Sequence, residues 1–330
     1  MGSPSAIRVE GLKVAYGVRG GFFRRGLSSV RAVDGVSFEV APGEVLGLVG
    51  ESGCGKSSLG RALLRLVPVT AGSVQIDGLD FLALRGEALR RARPRLQMVF
   101  QDPYGSLDPR MTVFDTLAEP VQAHEALTSG RVAEQVYNAL EMVGLTRAAA
   151  RRYPHEFSGG QRQRVAIARA LILRPLALVA DEPVSSLDVS VQAQVLNLMK
   201  TLRRQLNLSM LFISHNLAVV RYVSDRIAVM YLGKIVEIGP REAIYSRPRH
   251  PYTEALVSAV PIPDPRRERG RVHIKVTGEP PSPIDPPRGC AFQSRCPLAT
   301  ERCRLEAPVL ESLGADGHAV ACFERGPGKV

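Results

Sequence analysis

Three kinds of hydrophobic pattern occur along the chain. The short apolar runs VLGLV at Val45–Val49 and LALVA at Leu176–Ala180 indicate strands that are buried on both faces. In GVSFEV at Gly35–Val40 and SVQIDG at Ser73–Gly78, apolar and polar residues alternate, as in an antiparallel sheet with one covered face. Apolar residues recur at helical spacing from Val191 to Leu206, which predicts an amphipathic helix that covers a sheet. The pattern therefore predicts an α/β fold.

The middle and the end of the chain follow different patterns. Between residues 112 and 154 apolar residues recur every three or four positions, which predicts a helical subdomain inserted at about 102–172. After residue 260 a proline-rich stretch leads to a segment that holds four of the five cysteines. We therefore expect a main domain at 1–260 and a small cysteine-containing extension at 261–330. No run of eighteen apolar residues occurs, so no membrane-spanning helix is expected.

The loop GESGCGKSS lies between the strand Val45–Val49 and a segment of helical spacing. It matches the pattern G-x-x-x-x-G-K-[ST] in the strand–loop–helix context that this motif requires. Residues without side chains let backbone N–H groups approach phosphate oxygens, and the helix N-terminus adds partial positive charge. In such a loop Lys56 reaches the β- and γ-phosphates, and the Ser57 hydroxyl binds Mg²⁺. The candidate nucleotide-binding residues are Gly50, Glu51, Ser52, Gly53, Cys54, Gly55, Lys56, Ser57 and Ser58.

Two acidic residues close the strand at Leu176–Ala180. Asp181 suits Mg²⁺, because hard cations prefer oxygen ligands. Glu182 is expected to point to the opposite side of an extended chain, where it can polarise a water in line with the γ-phosphate. The alternative is that the two acids merely end the strand.

A second phosphate-binding loop is predicted at Ser158–Gln161, where SGGQ opens a helix that runs to Leu173. Its exposed N–H groups and positive helix end favour an anion. One phosphate is not easily enclosed by two helix N-termini of one compact lobe, which favours binding in trans. The alternative is a serine that only caps an ordinary helix.

Six motifs occur in one order: the glycine loop, Gln101 in VFQDP, SGGQ, LALVADEP, SSLD at Ser185–Asp188 and His215 in FISHNL. Together they resemble the ATP-binding cassette (ABC) ATPases over roughly residues 7–260. The resemblance implies a P-loop NTPase of ABC type with a mixed-sheet core, an antiparallel β subdomain and a helical subdomain. It also implies that two cassettes pack head to tail, so that SGGQ of one, with Ser158, Gly159, Gly160 and Gln161, grips the γ-phosphate of ATP held by the other.

The same resemblance assigns further roles. Gln101 corresponds to the glutamine that touches Mg²⁺ or the attacking water, so Ser57, Gln101 and Asp181 form the expected Mg²⁺ site. His215 corresponds to the histidine that contacts the γ-phosphate and helps to position Glu182 as the catalytic base. Asp188 corresponds to an acid that crosses the dimer interface. Since each catalytic position carries the expected residue type, an active Mg²⁺-dependent ATPase is predicted.

The aromatic residue that stacks on adenine is less defined. Tyr16 in KVAYG is the candidate, and its alternative is plain strand packing. Phe22 and Phe23, in the insertion that follows, compete with it.

The end of the chain resembles a narrower group. HPYTEAL at His250–Leu256 and GCAFQSRCPLATERC at Gly289–Cys303 look like the ATPase subunits of oligopeptide and dipeptide importers of the peptide/nickel group. The resemblance implies a peripheral subunit on the cytoplasmic face of the membrane. Its expected partners are a second, homologous cassette, two membrane permease subunits and an extracytoplasmic peptide-binding protein. No residue of this chain identifies the cargo, so dipeptides, longer peptides, glutathione and nickel complexes remain open.

The clustered cysteines are spaced C-x₅-C-x₆-C-x₁₈-C, at Cys290, Cys296, Cys303 and Cys322. Structural zinc sites use closer C-x₂₋₄-C pairs, which are absent, although His318 offers an alternative zinc ligand. Four thiolates also suit a [4Fe–4S] cluster, which relatives of this tail carry. We therefore expect a structural [4Fe–4S] cluster, with zinc or reduced or disulfide-bonded thiols as alternatives.

The charge of the chain raises a different possibility. A net charge of +11 and a pI of about 9.8 fit a nucleic-acid partner, an anionic membrane surface or the arginine-rich style of one proteome, and charge alone does not decide among them. A nucleic-acid partner would suit a soluble ABC ATPase that acts in repair or translation. Against this, aromatic residues make up only 5% of the chain, and no basic stripe is interleaved with them. No nucleic-acid partner is therefore expected.

Overall fold

The computed structural model describes residues 5–18, 28–261, 264, 266, 269–270 and 274–329. Within these residues no helix is both long enough and apolar enough to span a bilayer. The strands are β1 (Ile7–Val18), β2 (Ser28–Val40), β3 (Val45–Val49), β4 (Ala71–Ile76), β5 (Leu79–Asp80), β6 (Leu96–Val99), β7 (Ala177–Asp181), β8 (Ser209–Ile213), β9 (Arg226–Tyr231), β10 (Lys234–Pro240), β11 (Glu311–Ser312) and β12 (Ala319–Val320).

The α-helices lie between these strands and after them. They are α1 (Lys56–Leu63), α2 (Gly86–Ala92), α3 (Pro103–Ser106), α4 (Val113–His124), α5 (Ser129–Met142), α6 (Gly159–Leu171), α7 (Val189–Leu206), α8 (Leu217–Val223), α9 (Arg241–Ser246), α10 (Pro251–Ser258) and α11 (Glu301–Leu305). Short 3₁₀ helices are present at Arg93–Arg95, Arg147–Arg151, Pro154–Glu156 and Gln293–Arg295.

The described residues fall into two compact units. The first unit comprises the described parts of Met1–Arg8, Glu39–Val45 and Ser73–Ile213. The second comprises those of Val9–Phe38, Leu46–Gly72 and Ser214–Val330. The domain boundary after residue 260 stays a prediction.

In the first unit, β6, β7 and β8 form a parallel sheet. Ala180 of β7 lies opposite Val99 of β6 and Phe212 of β8. Every residue of β7 and β8 is buried, which explains why their sequences are almost continuously apolar. Helices α4, α5 and α6 pack together, and α5 buries Val132, Val136 and Leu140 of the apolar stripe that the sequence indicated. The fourth residue of that stripe, Val143, directly follows α5 and is also buried.

In the second unit the sheet is mixed. β3 runs parallel to β9, with Val49 opposite Val229, whereas β10 is antiparallel to β9. Beyond β10, β12 and β11 continue the sheet in antiparallel pairs, and Val320 of β12 lies opposite Glu237 of β10. The cysteine-containing extension therefore supplies strands to this sheet, which the sequence pattern did not reveal.

The alternating segments also fold as expected. In β2, Val36, Phe38 and Val40 are buried, while the residues between them are exposed. In the first unit, β4 pairs antiparallel with β5, and Gln75 lies opposite Asp80. Mixed and antiparallel sheets with added helices are the architecture predicted from the sequence.

Candidate functional site

The glycine loop in the second unit connects β3 to α1. Gly55 immediately precedes α1 and has φ +108°. A Cβ at this position would lie 1.9 Å from the backbone oxygen of Ala32, and one at Gly50 would lie 2.2 Å from that of Met230. Both glycines are therefore required by close backbone approach, as in a loop whose backbone encloses a phosphate.

Lys56 folds back over this loop. Lys56 is buried in the second unit, with only 5% of the residue exposed. The ammonium nitrogen Nζ donates to the carbonyl oxygens of Gly50 at 2.8 Å and Glu51 at 2.9 Å. It also lies 3.8 Å from Cys54 Sγ. Burial raises the pKa of the Cys54 thiol and the nearby Lys56 opposes that rise, so this cysteine packs in the loop as a neutral small residue.

Glu51 receives two contacts from the end of the chain. Its backbone N–H donates to Tyr252 Oη at 2.8 Å. Its carboxylate accepts two hydrogen bonds from the Arg295 guanidinium, at 2.9 and 3.1 Å. Sequence reasoning missed both residues. Tyr252 lies in the HPYTEAL segment and Arg295 precedes Cys296, but local spacing does not connect either of them to a loop some two hundred residues earlier.

The first unit brings Gln101 and Glu182 together. Gln101 Nε2 donates to Glu182 Oε2 at 3.1 Å, and the Glu182 backbone N–H donates to the Ile213 carbonyl at 2.9 Å. Asp181 ends β7 and is 1% exposed. Glu182 has φ +47°, so it is not extended, and the reason given for its orientation from the sequence was wrong. The left-handed backbone turns the chain at the end of β7.

His215 lies in the second unit and is exposed. The next residue, Asn216, caps α8 by accepting hydrogen bonds from the N–H groups of Ala218 and Val219. The roles assigned to His215 in γ-phosphate contact and in positioning Glu182 stay predictions.

SGGQ begins α6 in the first unit. Ser158 Oγ accepts the Gln161 N–H at 3.3 Å, and Gln161 Oε1 accepts the Ser158 N–H at 3.1 Å, so the two residues form a capping box. Ser158 and Gly159 are exposed, whereas a Cβ on buried Gly160 would lie 2.3 Å from Val191 Cγ1. Ser158 therefore caps α6, as the alternative prediction stated, and the first two residues of the motif are at the surface. Asp188, which precedes α7, is also exposed.

The adenine-stacking candidate Tyr16 lies on β1 and is half-exposed. Phe22 and Phe23, its competitors, lie outside the described residues. The identity of the stacking aromatic stays a prediction.

The four clustered cysteines lie in the second unit and are free thiols, with Cys303 buried and the others half-buried. Across the described parts of the chain, no three His, Cys, Asp or Glu side chains are arranged around a possible metal ion, so neither zinc nor the [4Fe–4S] cluster gains support from that geometry. His318, the alternative zinc ligand, has Nε2 2.7 Å from the buried Glu237 carboxylate. Burial raises the pKa of Cys290 to about 11, and it also raises those of Cys296 and Cys322.

Comparison with known proteins places these features in a family. The family model described as "ABC transporter" matches residues 33–185, and the one described as "Oligopeptide/dipeptide transporter, C-terminal region" matches residues 236–303. The dimeric, post-hydrolysis structure of the ATP-binding cassette MJ0796 bound to ADP and phosphate aligns with a TM-score of 0.62 at 26% identity. That alignment covers 71% of this chain and 98% of the other, and it confirms the predicted cassette fold.

Relatives of known name extend over nearly the whole chain. The oligopeptide transport ATP-binding protein OppF of Salmonella typhimurium is 49% identical over 324 residues, which are 97% of this chain and 96% of OppF. The probable peptide ABC transporter ATP-binding protein y4tS of Sinorhizobium fredii is 51% identical over 325 residues, or 98% of this chain and 91% of y4tS. AppF of Bacillus subtilis, also an oligopeptide transport ATP-binding protein, is 49% identical over 317 residues, 96% of each chain. The chain belongs to the ABC ATPase family, among the ATP-binding proteins of peptide transporters.

Proposed function

We propose that this chain binds and hydrolyses ATP to drive the uptake of peptides through an ABC importer. The observation that carries the ATPase part is the glycine loop, whose close-packed backbone and buried Lys56 form a phosphate-binding site. The peptide part rests on the relatives, which are ATP-binding proteins of peptide and oligopeptide transport and align with this chain over almost their entire length. The identity of the peptide lies with other subunits, because no residue of this chain is assigned to cargo.

In the proposed site, ATP phosphates lie on the N–H groups of Gly50–Ser58, with Lys56 exchanging its carbonyl partners for β- and γ-phosphate oxygens. Ser57, Gln101 and Asp181 are the residues assigned to Mg²⁺, and all three offer the oxygen donors that this ion prefers. When bound, Mg²⁺ would neutralise charge on the β- and γ-phosphates. Tyr16 is the proposed adenine contact.

Hydrolysis is assigned to Glu182. A water oxygen attacks the γ-phosphorus, the bond to the β-phosphate oxygen breaks, and Glu182 takes a proton from the water. The hydrogen bond from Gln101 holds the Glu182 carboxylate and gives the proposed base a fixed orientation. His215 is the residue proposed to contact the γ-phosphate.

A second cassette is proposed to complete the site. The exposed Ser158 and Gly159, with Gly160 and Gln161, would bind the γ-phosphate of ATP on that partner, and the exposed Asp188 would meet the partner nearby. The partner is proposed to be a homologous chain. Two membrane permeases and an extracytoplasmic peptide-binding protein complete the complex, which places this chain at the cytoplasmic face of the membrane.

The proposed domains of the chain are a cassette at 1–260 and an extension at 261–330.

We also propose that Cys290, Cys296, Cys303 and Cys322 hold a [4Fe–4S] cluster. Backbone N–H groups of Phe292, Leu298 and Glu324 donate to the sulfurs of the cysteines two residues before them. Such donors favour thiolates, and they are one means by which proteins tune iron–sulfur clusters. The thiols also act on one another electrostatically, which raises the cost of their ionising together without a cation.

Anaerobic purification with iron and sulfide analysis tests the cluster. We expect about four of each per chain in the wild type and in Cys54→Ser, whose thiol lies in the glycine loop, and loss of both in Cys296→Ser. Zinc in place of iron, or neither metal in the wild type, would contradict the cluster.

Affinity purification from mild-detergent membranes of the native cells tests the transport function. We expect two membrane permeases and a second cassette to be recovered with this chain. Recovery of ribosomes or nucleic acid without permeases would contradict the proposal and favour the alternative of a soluble ABC ATPase.

A further inference from the structure

Arg295 holds a buried position beside the glycine loop. It ends the 3₁₀ helix Gln293–Arg295, between Cys290 and Cys296, and its side chain is only 7% exposed. Two of its nitrogens donate to the two Glu51 carboxylate oxygens, which is the bidentate geometry of a strong ion pair. One of those nitrogens also lies 3.3 Å from Tyr231 Oη.

Packed aromatic rings lie next to the contact between Arg295 and Glu51. The ring of Phe292 lies 5.3 Å from that of Tyr231 and 5.4 Å from that of Tyr252, and Tyr231 and Tyr252 are 4.7 Å apart. Phe292 is buried and belongs to the extension, whereas Tyr231 ends β9. Within the second unit, these contacts fix the extension against β9 and α10, so Arg295 meets Glu51 in a defined geometry.

Three separate groups of Glu51 are engaged at once. Its carboxylate binds Arg295, its N–H donates to Tyr252 Oη, and its carbonyl accepts from Lys56. Any shift of the Glu51 backbone therefore moves a partner of the lysine that is assigned to the phosphates. The extension and the phosphate-binding lysine are connected through one residue.

Stability alone is a poor explanation for this arginine. The Arg295 guanidinium is a charged group in a buried position, where its partners are the Glu51 carboxylate and the Tyr231 hydroxyl. Its Nε atom is buried and has no hydrogen-bond partner among the described residues. A buried donor left without a partner costs free energy, which an apolar side chain of similar volume would avoid.

We propose that Arg295 is a positioning residue for ATP binding, which fixes Glu51 and thereby preorganises the glycine loop. The inference rests on the proposed ATPase function. It assigns to the cysteine-containing extension a direct effect on nucleotide affinity within the same chain, in addition to any structural role.

A double-mutant cycle on the full chain tests the proposal, with affinity for a fluorescent ATP analogue and thermal stability as readouts. We expect Arg295→Met and Glu51→Gln each to weaken binding about tenfold, since a hydrogen bond between charged groups is lost. The double variant should also be weakened only about tenfold, because both changes remove one contact. Arg302→Met is the matched control: it lies in the same extension, pairs with Glu306, and its side chain is 62% exposed. Its affinity should equal that of the wild type.

Three outcomes are distinguishable. Affinity of Arg295→Met within twofold of wild type, even with a lower melting temperature, would overturn the positioning role and leave a structural one. A double variant weakened about a hundredfold would show independent effects and also overturn it. Failure of the wild type to bind the analogue would instead contradict the proposed function. Arg295→Lys, which keeps the charge but lacks the planar fork, should recover only part of the affinity.

Discussion

Replacing Glu182 by glutamine separates the proposed chemistry from nucleotide binding. The change removes the negative charge and the proton acceptor but keeps the size of the side chain. Its amide oxygen can still accept the hydrogen bond that Gln101 donates at 3.1 Å. Position 182 has φ +47°, and glutamate and glutamine bear the same strain there, so the backbone should not respond.

The expected magnitudes differ between catalysis and stability. Loss of a general base typically lowers kcat by about 10²–10⁴-fold, or about 3–5 kcal/mol in the barrier. Changing the Gln101 contact from a charged to a neutral hydrogen bond alters stability by about 1 kcal/mol at most. ATP affinity should be retained, because Glu182 is assigned to the attacking water rather than to phosphate binding. The variant should therefore accumulate as a dimer with bound nucleotide.

Phosphate release at saturating Mg·ATP measures the first effect, and size-exclusion chromatography with nucleotide analysis measures the second. Glu141→Gln serves as a control, since Glu141 is a half-exposed partner of Arg147 in the same unit. We expect it to hydrolyse ATP normally. Hydrolysis by Glu182→Gln at the wild-type rate would refute the assignment of the base.

Two further predictions concern the second unit. Gly55→Ala should abolish binding of the ATP analogue, because its Cβ would lie 1.9 Å from the Ala32 oxygen; binding at wild-type strength would show that the loop tolerates the change. Burial lowers the pKa of His250 to about 4, and this effect outweighs the opposing charge of Glu237. The unfolded chain binds this proton near pH 6.5, whereas the folded chain binds it only near pH 4. The corresponding stability is therefore present above about pH 6.5 and is lost as the pH falls through about 4. Between pH 7.5 and 5, urea unfolding should show the wild type losing about 2 kcal/mol more than His250→Asn, which keeps an acceptor for the Tyr252 N–H; equal losses would contradict the lowered pKa.

Local sequence patterns predicted the elements of this fold well, but not all their ends. The run at Leu176–Ala180 was predicted as a strand, whereas β7 begins at Ala177 and includes Asp181. Leu176 precedes the strand and is 43% exposed. An apolar residue next to a strand need not belong to the core, so the apolar run did not mark the first residue of β7. The glycine loop was recognisable because one short continuous stretch of chain makes all the backbone contacts to phosphate. The residues that those contacts require therefore occur at fixed spacing within that stretch.

Contacts between distant segments were not predictable in this way. Arg295 and Glu51 lie 244 positions apart, and their pairing depends on how the extension packs within the second unit. The pairing of β12 with β10 depends on the same packing. The left-handed turn at Glu182 was missed because the residue type does not favour it, and only the surrounding structure imposes it.

Peptide uptake by cells whose own copy of this gene is deleted tests the central claim most directly. Uptake of a labelled oligopeptide would be measured after complementation with the wild type or with Glu182→Gln at matched expression. The account predicts that deletion abolishes uptake, that the wild type restores it, and that the variant does not. Undiminished uptake in the deletion, or full restoration by Glu182→Gln, would contradict the claim that ATP hydrolysis by this chain drives peptide import.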